Sequence, residues 1–176
     1  MFFYTEKESE RNYLYYLIQS VYEIIFLGYG QSNMGGKGLV ASIPGGRPEL
    51  SAALTGVQNW IHGSTEFQQM HAGVNTEASA LFDFGPDLEF CYQMRQLLDA
   101  QSISKDLHFG KWFRGGTQLN QSSSEIDLHP YSTGETWDEF EERVEAIKAD
   151  SVGRGKIPYF AGIIYFQGES DSDGTE

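Results

Sequence analysis

A single cysteine, Cys91, stands in the whole chain, so no disulfide can close within it. Cys91 falls in an apolar pattern of helical spacing, which suits a buried, inert thiol. The chain has no C-x-x-C pair and no H-E-x-x-H, which argues against a structural zinc site or a zincin. No metal or other cofactor is expected. Basic residues are scarce: 12 Lys and Arg stand against 25 Asp and Glu, for a formal charge of −13. Nucleic acid needs a clustered positive surface and is not an expected partner. An anionic membrane surface is disfavoured for the same reason. Long apolar runs are also missing. The longest, near residues 24–27 and 159–166, are too short to span a bilayer. The opening "MFFYTEKESERNYLYYLIQS" has acids where a signal peptide needs bases. No targeting segment is expected, and the compartment is left open.

What is present suits one domain with a real core. The 176 residues are 40% hydrophobic and 14% aromatic. Residues 1–21 read as a lead-in helix, with Tyr13, Leu14, Tyr16, Leu17 and Ile18 at helical spacing. "YEIIFLG" at 22–28 reads as a buried strand. Its near-continuous apolar run suits a parallel strand covered on both faces. A loop rich in Gly, Pro and Ser follows at 35–55, then a hairpin over 56–73 around residues 62–65. A second loop ends at Gly85-Pro86. "DLEFCYQMRQLLDAQ" at 87–101 reads as a helix, with Leu88, Cys91, Met94, Leu97 and Leu98 on one side. "DLHFGKWF" at 106–113 reads as a second core strand. After a polar loop, a helix is expected over 136–150, then a third core strand, "YFAGIIYF". This alternation predicts an α/β fold of three layers, α/β/α, with a central parallel sheet and a β-hairpin insertion.

Three loops follow the three core strands: "GQSNMGG", "RGGTQL" and "QGESD". In a parallel sheet such loops gather at the edge where ligands bind. Acyl transfer needs a nucleophile, a base and donors for the oxyanion. Ser32 follows a strand, where its own N–H could face a developing negative charge. Gly115 or Gly116 could offer a second N–H, and Gln167 an amide N–H. Phosphate motifs do not fit. Gly38 stands after Lys37 where a P-loop needs Ser or Thr, and Gly28 and Gly30 are followed by Asn33 rather than a third glycine. The G-x-S-x-G elbow is also absent, since Met34 stands two after Ser32. Spacing alone leaves Ser32 open between nucleophile and helix cap.

Taken together, "GQSNMGG", "GGTQL" and "FQGESD" resemble the SGNH/GDSL-type hydrolases, and within them the sialate O-acetylesterase and carbohydrate esterase family 6 group, or SASA domain. "FGPDLEF" resembles that family's G-P-E segment, with Asp87 in place of Glu. The resemblance spans residues 22–173. It implies a flavodoxin-like α/β/α fold and a serine esterase that removes acetyl groups from carbohydrate through an acetyl-enzyme on Ser32. It implies an oxyanion hole made by the Ser32 and Gly115 amides and the Gln167 side chain. Gln31, Asn33, Gly116 and Thr117 would support the site loops, and Glu169 would orient neighbouring loops. The family also carries a D-x-x-H segment whose histidine is the general base. This sequence has none; it offers only Asp106-Leu107-His108 and Asp127-Leu128-His129. The esterase domain is therefore expected over 22–176 in a C-terminally incomplete form. The alternative is a non-catalytic carbohydrate-binding or structural module within a larger assembly, such as a viral tail or surface protein.

Other residues read more simply. Trp60, Phe67, Trp112, Phe113 and Trp137 could stack on sugars, but core packing is the plainer reading for most. Arg114 could meet an acidic substrate or form an ion pair with Asp171, Glu169 or another surface acid. "WDEFEERVE" reads as a solvated helix face, and Asp171, Asp173 and Glu176 as a solvated tail.

Overall fold

A computed structural model describes residues 21–61, 63–76, 83–118 and 135–168. The run Ile24-Ile25-Phe26-Leu27 lies within strand β1 (Tyr22–Gly30). Alternate residues point to opposite faces of a strand. Here Ile25, Leu27 and Tyr29 enter one apolar cluster, while Ile24 and Phe26 pack against the other. A strand buried on both faces has to be apolar almost throughout, which is what the sequence shows.

The neighbours of β1 are β6 (Leu107–Phe113) and β7 (Ile157–Phe166), both parallel to it. Gly30 is in register with Phe113 on one side and Phe166 on the other, so all three strands end at one level. The expected hairpin forms from β3 (Ala53–Trp60) and β4 (Gln68–His71). Its first strand is also a full member of the sheet, pairing parallel with β6 from Val57↔Leu107 to Trp60↔Gly110. The five-stranded order is β4-β3-β6-β1-β7, and only β4 runs against the rest. A small antiparallel ribbon, β2 (Gly38–Leu39) with β5 (Asp83–Phe84), joins the two regions read as loops. Strands of two residues have no period to betray them.

Among the described residues, one long helix covers each face. α2 (Pro86–Ala100) starts with proline in its first turn and Asp87 and Glu89 near its N-terminus. It buries Leu88 and Cys91 with Met34, Leu107 and Phe109. Burial pushes the Cys91 thiol up, as suits an inert core cysteine. α3 (Glu135–Gly153) sets Phe140 and Ile147 against Ile25, Leu27, Tyr29 and Trp112 on the other face. The expected elements thus stand within a few residues of their places, and the layers are α/β/α. The lead-in helix read over residues 1–21 lies, but for its last residue, outside the described residues.

At the starting ends of the strands, polar groups close the sheet. Glu23 is buried; it accepts from Arg154 at 2.7 and 2.8 Å and lies 3.0 Å from His108 Nε2. The Ser151 hydroxyl donates to it as well. Burial alone would raise the Glu23 carboxyl, but these hydrogen bonds outweigh it and hold it well below the usual carboxylate range.

Candidate active site

The site is built where β1 stops. A methyl group on Gly30 would stand 1.9 Å from the Phe166 carbonyl oxygen, so only glycine lets β1 turn this close to β7. The Gln31 amide then donates to the Phe166 carbonyl at 3.0 Å, and the Arg114 amide donates to the Gly30 carbonyl at 3.1 Å. These two bonds tie the ends of β7, β1 and β6 together.

The next residues make one helical turn, α1 (Ser32–Gly35). The Met34 and Gly35 amides donate to the Gln31 carbonyl at 2.9 and 3.1 Å, and the Gly36 amide to the Ser32 carbonyl at 2.8 Å. Met34 is fully buried beneath the turn, while Ser32 is half-buried and Asn33 exposed. Gly35 faces the Phe113 ring, which a methyl group would approach to 2.4 Å. Ser32 supplies the first N–H of the turn, a position with no partner inside the helix. Among the described residues, neither the Ser32 nor the Gly115 amide donates to another backbone carbonyl in the loops.

The second and third loops come up beside it. A Cβ on Gly115 would stand 3.9 Å from the Ser32 Cβ, so the G-G-T backbone lies directly against the serine. Gly116 turns with φ 78°. Thr117 is fully buried, and its hydroxyl donates to the Arg114 carbonyl at 3.1 Å. Gln167 reaches across from the end of β7 and donates through Nε2 to the Thr117 carbonyl at 2.7 Å. That bond uses one of the two amide hydrogens. Ser32, Gly115 and Gln167 are therefore brought to one sheet edge, with Gly116 and Thr117 shaping the second loop. Gln31 is buried, 2% exposed, and acts within the turn rather than on its surface. Glu169 lies outside the described residues.

Histidine is the group the described edge does not show. His108 sits five residues before Phe113, about 17 Å down β6 at strand rise. It is buried against Glu23 and the Phe67 ring. His71 ends β4 opposite Ala53, at the far end of the sheet. His62 and His129 lie outside the described residues. The aromatic residues take their core roles: Trp60 and Trp112 are 2% and 1% exposed, and Trp137 packs edge-on to Tyr29. Arg114 meets Glu139 of α3 at 3.5 Å, an exposed ion pair. No group of three or more His, Cys, Asp or Glu among the described residues is placed to hold a metal. No described helix is long and apolar enough to cross a membrane.

One pair of residues escaped the sequence reading. Lys111 of β6 and Asp87 of α2 form an ion pair at 2.9 Å with both side chains fully buried. It lies directly under α1. In "LHFGKWF" a lysine looks like an ordinary polar position; the only signal was the G-P-D segment that holds its partner.

Residues 22–176 match the profile of a family described as carbohydrate esterase, sialic acid-specific acetylesterase. None of the curated proteins matches the chain. Among solved structures, a protein from Arabidopsis thaliana is similar over 85% of this chain and 59% of its own, at 19% identity and a TM-score of 0.60. A carbohydrate acetylesterase from Xanthomonas citri is similar over 84% of this chain and 33% of its own, at 15% identity and a TM-score of 0.40. The first likeness supports the fold; the second is too distant to carry an argument. The chain spans less than two thirds of the length of either protein.

Proposed function

Since the chain belongs to the SASA family of carbohydrate esterases, we propose that it removes acetyl groups from O-acetylated carbohydrate, of the sialate or xylan kind, with Ser32 as the nucleophile. The observation that carries this reading is the convergence of Ser32, Gly115 and Gln167 from three loops at one edge of the sheet. Ser32 Oγ attacks the acetyl carbonyl. The sugar oxygen leaves with a proton, an acetyl-enzyme remains, and water releases acetate. The oxyanion is met by the Ser32 amide, the Gly115 amide and the second Nε2 hydrogen of Gln167. A proton acceptor must reach Ser32 Oγ, within about 3 Å or through one water. No described histidine does so; in this reading a group outside the described residues takes that part, and Glu169 would help orient the loops around it.

The test is hydrolysis of an aryl acetate and of acetylated xylan by the wild-type chain and by Ser32→Ala. Loss of acetate release in the variant, with unfolding unchanged, supports the reading. Equal activity in both removes Ser32 from the reaction. A second reading, a carbohydrate-binding module without catalysis, is favoured by the placement of both described histidines away from Ser32. It would show as glycan binding that Ser32→Ala leaves intact, with no acetate released by either protein.

A further inference from the structure

Beneath the serine turn lies a cation that the acyl-transfer steps above do not use. Lys111 is fully buried. Its ammonium donates to the Gly35 carbonyl at 2.8 Å, to Asp87 Oδ1 at 2.9 Å and to the Thr76 carbonyl. An ammonium has three hydrogens, and here each goes to a different segment: the last residue of α1, the chain beyond β4, and the first turn of α2.

The fit around it is close. A methyl group on Gly85 would stand 2.9 Å from the Met34 carbonyl oxygen and 3.0 Å from Lys111 Nζ. One on Gly36, where φ is 94°, would stand 2.3 Å from the Gly85 Cα. The serine turn and the Gly85-Pro86-Asp87 segment are therefore in backbone contact, with the ammonium bridging them from below.

Stability alone is a poor reason for such a pair. Removing two charges from water is costly, and replacing both partners of a buried pair by apolar residues is often neutral or stabilising. What distinguishes this pair is the carbonyl it holds. α1 has four residues and three backbone hydrogen bonds. A helix that short does not stand by itself in water. Its end needs an anchor, and Lys111 supplies it three residues after Ser32.

We propose that Lys111, braced by Asp87, is a positioning residue for Ser32: it pins the Gly35 carbonyl and so fixes the turn that presents the serine hydroxyl and amide. It touches no substrate and acts only through the turn. The inference rests on the esterase reading, but one arm of its test does not.

Lys111→Met combined with Asp87→Leu removes both charges and keeps the volume close. Hydrogen exchange at the Gly35 and Gly36 amides reports the order of the turn whether or not the chain is active. The proposal expects unfolding to stay cooperative and the β1 and β6 amides to stay protected, while exchange at Gly35 and Gly36 rises roughly tenfold or more. On an aryl acetate, kcat falls by about a hundredfold with KM nearly unchanged, as for a displaced catalytic group. Should that variant fail to fold, Lys111→Met with Asp87→Asn keeps a polar group at the start of α2 and is expected to give the same local change. Unchanged exchange and unchanged kcat in a folded variant overturn the proposal. Loss of fold in both variants also overturns it, since the pair is then a folding element and not a positioning one. A wild-type chain inactive on the aryl acetate counts against the esterase reading, and the exchange result then decides the positioning role alone.

Discussion

Gly30 has room for hydrogen and nothing larger, because the Phe166 carbonyl oxygen stands 1.9 Å from where a methyl group would be. Gly30→Ala must push β7 away from β1, and it should lower stability by roughly 1–3 kcal/mol, read as a fall in the urea midpoint with little change in slope. Gln167 is a different kind of residue, proposed for the chemistry rather than for close packing. Its Nε2 anchors the Thr117 carbonyl, and an amide has a second hydrogen, which the proposed mechanism gives to the oxyanion. Gln167→Ala should reduce kcat for an aryl acetate by about 10²–10³-fold, the usual cost of one oxyanion donor. The meeting of Ser32, Gly115 and Gln167 at one sheet edge was legible in the sequence, because a serine or amide among glycines after an apolar strand encodes a backbone geometry. Lys111 was not. Whether a strand lysine faces water or a carbonyl depends on which other segments close over it, and those arrive from Gly35, Thr76 and Asp87.

Among the elements, the starting end of β1 stores a pH dependence. Glu23 is held well below the usual carboxylate range by Arg154, His108 and Ser151 against the opposing effect of its burial. A carboxyl with a depressed folded pKa contributes stability that is full above its unfolded value, near 4.3, and is lost as pH falls below it. Glu23→Gln should therefore be less stable than wild type at pH 7, with the gap narrowing toward pH 3. Urea midpoints for both proteins across that range check it; a gap that is constant with pH would assign the effect to packing instead. The long elements were readable because β1, β6, β7, α2 and α3 each carry an apolar run or a helical stripe. The β2–β5 ribbon was not, at two residues a strand. The parallel pairing of β3 with β6 was also hidden, since a hairpin pattern states its antiparallel partner and not what lies on its other side.

At the scale of the described molecule, the sheet is closed on both faces at its centre, and no described strand pairs with the outer side of β7. β7 is the outer strand among the described residues, and Tyr159 and Ile163 on it are each 58% exposed. Ile163→Lys should change stability by less than about 0.5 kcal/mol, and it should raise the concentration at which the chain begins to associate, because a charge on an open edge opposes strand pairing. Light scattering against concentration measures this; a large loss of stability would show that Ile163 is packed in solution. The same view sets the catalytic question. Three loops bring Ser32, Gly115 and Gln167 to one edge, while the described histidines lie elsewhere. An acetyl-enzyme on Ser32 forms before water clears it, so a quench during turnover should trap it. The most direct test is mass analysis of the protein quenched in acid after brief exposure to an aryl acetate. The result predicted is one acetyl group on the peptide containing Ser32, absent in Ser32→Ala. Acetylation confined to other residues, or equal labelling in the variant, would contradict Ser32 as the nucleophile.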